Sequence, residues 1–325
     1  MNIKSDEKLI EEKRNERKQF DIWVEKYRPL TIDEVILPDS SRRFFRQCLK
    51  KGEIPSLLLF SVHAGTGKTS TAKALCEELG TDYLYVNTSL DTGIDLLRNK
   101  IESFATSVSL SGKRKIVILD EFDGSSISLQ NALRASIESF HRVCSFIIIC
   151  NHINKIIKPI RSRCQQVDFN FADKKQREVM TVRYATRIRN ICNKENIEVS
   201  NDLIIKIVNK FYPDLRETIH RIQKFSSHNN GVVTEDILLN TKIDDELLSL
   251  IMSKQLTKAR SHIIQHAYDY DNLYRYLYDN LIPQIDKTKQ PYAIIKIAEY
   301  MYQSAFVCDP EITFAACMSA LMGVV

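Results

Sequence analysis

SLLLFSVHAGTGKTSTAKAL, residues 56 to 75, is the stretch that decides the fold. An unbroken apolar run, Leu57 to Phe60, leads through a glycine-bearing turn into a helix-forming segment, so a buried strand hands directly to a helix. The turn carries Ala64, Gly65, Thr66, Gly67, Lys68, Thr69 and Ser70 in the order of a phosphate-binding loop. Each residue type answers a chemical need. Glycines let successive backbone N–H groups converge on phosphate oxygens, and the helix N-terminus adds favourable partial charge. Lys68 can reach the β and γ phosphates, and Thr69 can ligate Mg²⁺. The full pattern also asks for glycine six residues before the lysine, where this chain has Val62. At a strand end a β-branched residue is acceptable if its backbone stays extended. Standing alone, the stretch could be an ordinary glycine turn entering a helix.

Working outward, YLYV (83–86), KIVILD (115–120), SFIIIC (145–150) and QQVDF (165–169) repeat the apolar pattern, each separated by helix-length sequence. Continuous apolar strands alternating with helices predict an α/β domain built on a parallel sheet covered on both faces. KIVILDEFD ends its strand in Asp120 and Glu121. Asp120 would hold the Mg²⁺ hydration shell, and Glu121 would orient and deprotonate an attacking water. Acids at a strand end are commonly just solvated. At this distance after a phosphate loop, the second acid favours a hydrolase over a small-molecule kinase. SFIIICN ends in Asn151, whose amide could bridge the water and a γ-phosphate; alone, it reads more readily as a turn residue.

The flanks are simpler. Residues 1–20, dense in Lys, Arg, Glu and Asp, predict a solvated helix or frayed arm with no assigned role. The ATPase-type domain is expected over 21–169, a small helical domain over 170–235, and a second helical domain, rich in Tyr and Leu, over 236–325. The chain has 325 residues and a net charge of +5, so any nucleic-acid contact should come from a local basic strip. Cysteines 48, 76, 144, 150, 164, 192, 308 and 317 include no C-x-x-C pair, which argues against zinc and predicts reduced core thiols. No run approaches a membrane span and no signal-peptide segment opens the chain, so a soluble cytoplasmic protein is expected.

With these elements comes a more specific set. WVEKYRP (23–29), DEFD (120–123) and SRC (162–164) after NHINKIIKPIR resemble the clamp-loader branch of the AAA+ ATPases, the replication factor C group. TIDEVILP, AGTGKT and FYPDLRETI are most similar to members of that branch from T4-type bacteriophages. The motifs cover about residues 23–226, and the rest matches by its helical pattern alone. The resemblance implies an AAA+ domain, a helical lid and a C-terminal helical collar for oligomerisation. It implies ATP and Mg²⁺ as ligands. Tyr27, Arg28, Pro29, Val35 and Ile36 would line the adenine pocket, Arg216 would touch the γ-phosphate of its own chain, and Arg163 would act as an arginine finger on a neighbour's ATP. Arg98 would meet primer–template DNA, Gln130 and Arg134 would couple the catalytic strand to the subunit boundary, and the far end of Arg98's helix would face the sliding clamp. Phe104, Val108 and Leu110 are candidate clamp contacts, with core packing the alternative for Phe104. Family members often carry an arginine where this chain has Thr92.

The implied machine holds five subunits, copies of this chain with a different clamp-loader subunit, in a spiral that opens the clamp with ATP bound and releases it on DNA after hydrolysis. Another AAA+ machine, such as a helicase loader or initiator, should carry a C-terminal DNA-reading domain, and no helix-turn-helix signature follows residue 236. A non-enzymatic loader subunit should have lost Lys68, Thr69 or Glu121, and all three are present.

Overall fold

The structure, a computed structural model, describes residues 3–89, 93–109, 111–170, 174–239, 245–266, 268, 270–304, 306–307 and 309–324. Thr92 and Leu110 lie outside the described residues. The chain divides into two compact units, Met1–Thr234 and Glu235–Val325.

In the first unit, strands β1 (Leu57–Phe60), β2 (Tyr83–Asn87), β3 (Lys115–Asp120), β4 (Cys144–Cys150) and β5 (Gln165–Asp168) form one parallel sheet in the order β2-β3-β4-β1-β5. Every residue of β3 and β4 is buried, which is why these segments read as continuous apolar runs. The edge strands are different. β5 buries only Val167, and β2 leaves Tyr85 exposed, because an edge is covered on fewer sides. Phe60 pairs with Cys150 and Leu119 with Ile148, so the ends of β1, β3 and β4 share one edge of the sheet. Crossovers empty there, and open parallel sheets bind ligands at that edge.

Helices cover both faces. α1 spans Ile3–Arg17, α2 Trp23–Lys26, α3 Asp39–Lys51 and α4 Lys68–Leu79. α4 buries Ala72, Leu75, Cys76 and Leu79 and ends at Gly80, whose φ of 61° suits a left-handed cap. On the opposite face α5 (Ile94–Thr106) and α6 (Ile127–Phe140) bring Leu97, Ile101, Leu129, Leu133 and Ile137 against Val117, Leu119, Phe146 and Ile148. Burying each such side chain is worth about 1.5–3 kcal/mol, so this layer fixes the sheet and the edge where its strands end. Ser126 caps α6 by accepting from the Leu129 N–H. After the short α7 (Lys158–Arg161) come α8 (Lys174–Lys194), α9 (Asn201–Phe211) and α10 (Leu215–His228), packed around Tyr184, Ile188, Leu203, Ile207 and Ile222. Ser200 and Asp214 cap α9 and α10.

The charged N-terminal arm forms a helix, one of the two forms expected of it. α1 is docked on the domain: Lys13 pairs with Glu77 of α4, Arg14 with Glu34, and Arg17 with the carbonyl of Arg28. A helix with little to bury is held here by charge-assisted contacts along one face.

In the second unit helices Asp245–Met252, Leu256–His266, Tyr270–Tyr276, Gln290–Ser304 and Pro310–Met322 enclose Leu247, Ile251, Ala259, Leu273, Tyr274 and Phe314. Tyr292, Ile295, Tyr302 and Phe306 stay exposed. Cys48, Cys76, Cys144, Cys150, Cys164, Cys192 and Cys317 are free and buried, and burial pushes the Cys150 thiol up to about 12. No helix among the described residues is long and apolar enough to cross a membrane.

Candidate active site

At the shared edge of β1, β3 and β4 lies a cavity of about 370 Å³. The turn after β1 forms its floor. Gly65 (φ +64°) and Gly67 (φ +94°) both take left-handed backbone that a side chain resists, and a Cβ on Gly65 would sit 1.7 Å from Asp214 Oδ1. Gly65 is therefore required twice, by conformation and by the approach of the capping carboxylate of α10. Val62 has no such need: its φ is not positive, and its N–H donates to Asn170 Oδ1 at 2.9 Å.

Lys68 is buried, and its ammonium donates to the His63 and Ser61 carbonyls at 3.0 and 3.4 Å. Burial, the largest influence, holds its pKa below the usual lysine value. The Thr69 hydroxyl donates to Asp120 Oδ2 at 2.8 Å, and the Tyr85 phenol donates to the same oxygen at 3.0 Å. Thr66 Oγ1 is buried with no hydrogen-bond partner among the described residues.

Asp120 closes β3 and also accepts the Glu121 N–H at 3.0 Å. Glu121 itself holds φ 55°, ψ 35°, a left-handed conformation costing a non-glycine residue about 1–2 kcal/mol and typical of functional turns. Its carboxylate meets the Ser89 hydroxyl, which is also 2.7 Å from Asn87 Oδ1. Asn151 lines the cavity one residue beyond β4. Arg216 lines it from the first turn of α10, exposed and with no hydrogen bond or ion pair among the described residues.

Tyr27, Arg28, Pro29, Val35 and Ile36 form the opposite wall, and Ala64, Gly65, Thr66, Gly67, Lys68, Thr69, Ser70, Asp120 and Glu121 complete the lining. Sequence reasoning passed over Lys73, Tyr85, Tyr184 and Arg187, which also face the cavity. Lys73 stacks over the Tyr85 ring at 4.1 Å. A tyrosine inside a strand run signals nothing by itself, and the lid residues come from a helix distant in sequence.

Arg163 is not part of this lining. Its guanidinium lies half-exposed against Glu138 of α6 at 2.5 Å and donates to the Pro159 carbonyl at 2.8 Å. Arg134 stands 4.0 Å from the same Glu138. Gln130 is 1% exposed: it donates to the Lys155 carbonyl at 3.0 Å and accepts the Ile157 N–H at 2.9 Å, fastening α6 to the segment that leads into α7. Arg98 is exposed on α5. Phe104 is half-buried against the core, with the Lys115 ammonium over its ring. Val108, by contrast, is 88% exposed on a loop tied down by Lys115, which donates to the Phe104 carbonyl at 2.6 Å, and by Asp82, which accepts from Ser109 at 2.8 Å.

Residues 58–171 match the family model described as ATPase family associated with various cellular activities (AAA), and residues 174–239 match that of the sliding-clamp-loader large subunit, AAA+ ATPase lid domain. The sliding-clamp-loader large subunit of Escherichia phage RB69 is 36% identical over 81% of this chain and 84% of its own. That of Enterobacteria phage T4 is 34% identical over 86% and 87%. The replication factor C small subunit of Archaeoglobus fulgidus is 35% identical over 72% and 73%. Among solved structures the RuvB Holliday junction branch migration motor of Thermotoga maritima aligns with a TM-score of 0.52 at 17% identity, covering 73% of this chain and 85% of that one, a likeness of fold alone.

Proposed function

Because this chain belongs to the sliding-clamp-loader ATPases of the AAA family, we propose that it couples ATP hydrolysis, at a site completed by a neighbouring subunit, to the loading of a ring-shaped clamp on primer–template DNA. The observation that carries this reading is the division of the arginines. Arg216 faces the cavity of its own chain, while Arg163 lies outside it, on a surface ion pair that costs little to exchange.

Within the cavity the loop amides and Lys68 bind the phosphates, and the wall from Tyr27 to Ile36 seats the adenine. The Thr69 hydroxyl and Asp120 carboxylate are hard oxygen donors 2.8 Å apart, a pair that suits Mg²⁺. Thr69 and Asp120 would hold the ion, and the chemistry it would supply is neutralisation of phosphate charge. Glu121 takes the proton of the attacking water, Asn151 orients that water against the γ-phosphate, and Arg216 holds the γ-phosphate from the lid. Arg163 of one copy stabilises the charge that develops in the site of the next.

Outside the site the assignments rest on exposure and position. Arg98 contacts DNA phosphates, so duplex is read by shape and binding weakens steeply with salt. Val108, held out on a braced loop, enters a pocket of the clamp. Gln130 ties α6 to the strap before Arg163, with Arg134 and Glu138 on the same helix, and so relays the state of one site toward the next. The exposed Tyr292, Ile295, Tyr302 and Phe306 suit residues 236–325 to a collar joining five subunits, copies of this chain with a different one.

The test is ATP turnover by the assembled complex with and without clamp and primer–template DNA. Stimulation that needs both is the expected result. Turnover indifferent to both would remove the loader reading and leave a bare ATPase.

A further inference from the structure

The wall that lines the base end of the cavity is not held by its own secondary structure. α2 is a single turn, Trp23–Lys26, and the strip that follows it, Tyr27 to Pro29, is irregular. Two arginines from distant elements fasten its main chain. Arg187 of α8 donates to the Tyr27 carbonyl at 2.6 Å, and Arg17, in the last turn of α1, donates to the Arg28 carbonyl at 2.6 Å. Burial, the largest influence on each, draws both guanidinium pKa values below their ordinary value. Arg14 pairs with Glu34, a cavity-lining residue that also accepts the Leu30 N–H at 2.9 Å. Lys13, Arg14 and Arg17 share one face of α1 by their i, i+3 and i, i+4 spacing, and that face is the one turned to the domain.

We propose that the N-terminal helix α1 is a positioning element of the nucleotide site, setting the base-binding wall through Arg17 and Arg14 together with the lid's Arg187. The proposal rests on the reading of that wall as the adenine seat. Its consequence is selective. The phosphate loop is held by β1 and α4, which α1 meets through the separate Lys13–Glu77 pair, so loss of the Arg17 contact should loosen the grip on the base and spare the grip on the phosphates.

The full-length chain is titrated calorimetrically, with Mg²⁺ present, against ATP and against inorganic tripolyphosphate, which has phosphates and no base. Arg17→Ala is expected to weaken ATP roughly 3- to 10-fold and leave tripolyphosphate within about twofold. Arg17→Lys, which keeps a donor to the Arg28 carbonyl, should recover part of the loss, and deletion of residues 1–18 should match or exceed Arg17→Ala. Val35→Glu, placed in the wall itself, serves as the control. If Val35→Glu leaves ATP affinity unchanged, the wall is not the adenine seat and both readings fall. If Val35→Glu weakens ATP while Arg17→Ala does not, the seat stands and the role of α1 is wrong. Equal weakening of ATP and tripolyphosphate by Arg17→Ala would also overturn it, since α1 would then support the domain as a whole.

Discussion

At the cavity floor two charged side chains are set for different tasks by their surroundings. Lys68 is buried and tied to its own loop carbonyls, poised to exchange them for phosphate oxygens, whereas Glu121 sits on a strained turn at the end of β3. Lys68→Ala should therefore abolish measurable ATP binding, and Glu121→Gln should bind ATP with near wild-type affinity while turnover falls by roughly 10² or more. Equal ATP affinity for Lys68→Ala and wild type would contradict the assignment. Gly65 offers a stability test. A Cβ there meets both the positive φ and the Asp214 carboxylate, so Gly65→Ala should cost about 2–3 kcal/mol and lower the Tm by roughly 5–10 °C. A melting curve that does not move would mean Asp214 and the loop can part freely. Both glycines, the lysine and the acids could be read from the sequence because motif chemistry fixes their spacing. Lys73 and Tyr85 could not, since their value comes from the approach of one side chain on α4 to another on β2, and Asp214 reads only as a helix cap until the fold carries it to Gly65.

Among elements, the strap from α6 to α7 is the one on which the cross-subunit reading depends. Gln130 satisfies the Lys155 carbonyl and the Ile157 N–H inside the protein, and both groups lose their partner in Gln130→Leu. Leaving two part-buried backbone groups unpaired should destabilise the domain by about 1–3 kcal/mol. The relay reading adds a second expectation, that DNA-stimulated turnover falls in Gln130→Asn by more than ATP affinity does. Turnover and affinity falling in step would reduce Gln130 to a structural tie. The strands and their parallel order were legible from continuous apolar runs, and β2 and β5 were read as strands without showing that they are edges, because edge position is set by pairing partners far along the chain. The docking of α1 is hidden in the sequence for a related reason. Its partners, Glu77, Glu34 and the Arg28 carbonyl, lie 11 or more residues away, and a charged helix gives no apolar stripe to announce its docking face.

For the whole molecule, a net charge of +5 is too small to drive DNA binding by itself, so affinity should depend on a few placed cations. Arg98→Ala in the assembled complex should weaken primer–template binding alike across sequences and flatten the slope of log affinity against log salt by about 1. An unchanged slope would leave Arg98 as an ordinary surface arginine.

The central claim is that one chain's pocket is completed by the next chain's Arg163. An arginine brought to the γ-phosphate in this way can raise turnover by about 10³–10⁵. The most direct measurement assembles complexes from a mixture of Arg163→Ala and Glu121→Gln chains, each inactive alone, and follows ATP turnover with clamp and DNA present. Where an Arg163→Ala chain supplies the intact pocket and a Glu121→Gln chain supplies the intact finger, a competent interface forms, so partial activity is predicted to return. Mixed complexes that assemble, as shown by mass, yet hydrolyse no more ATP than either variant alone would contradict the account.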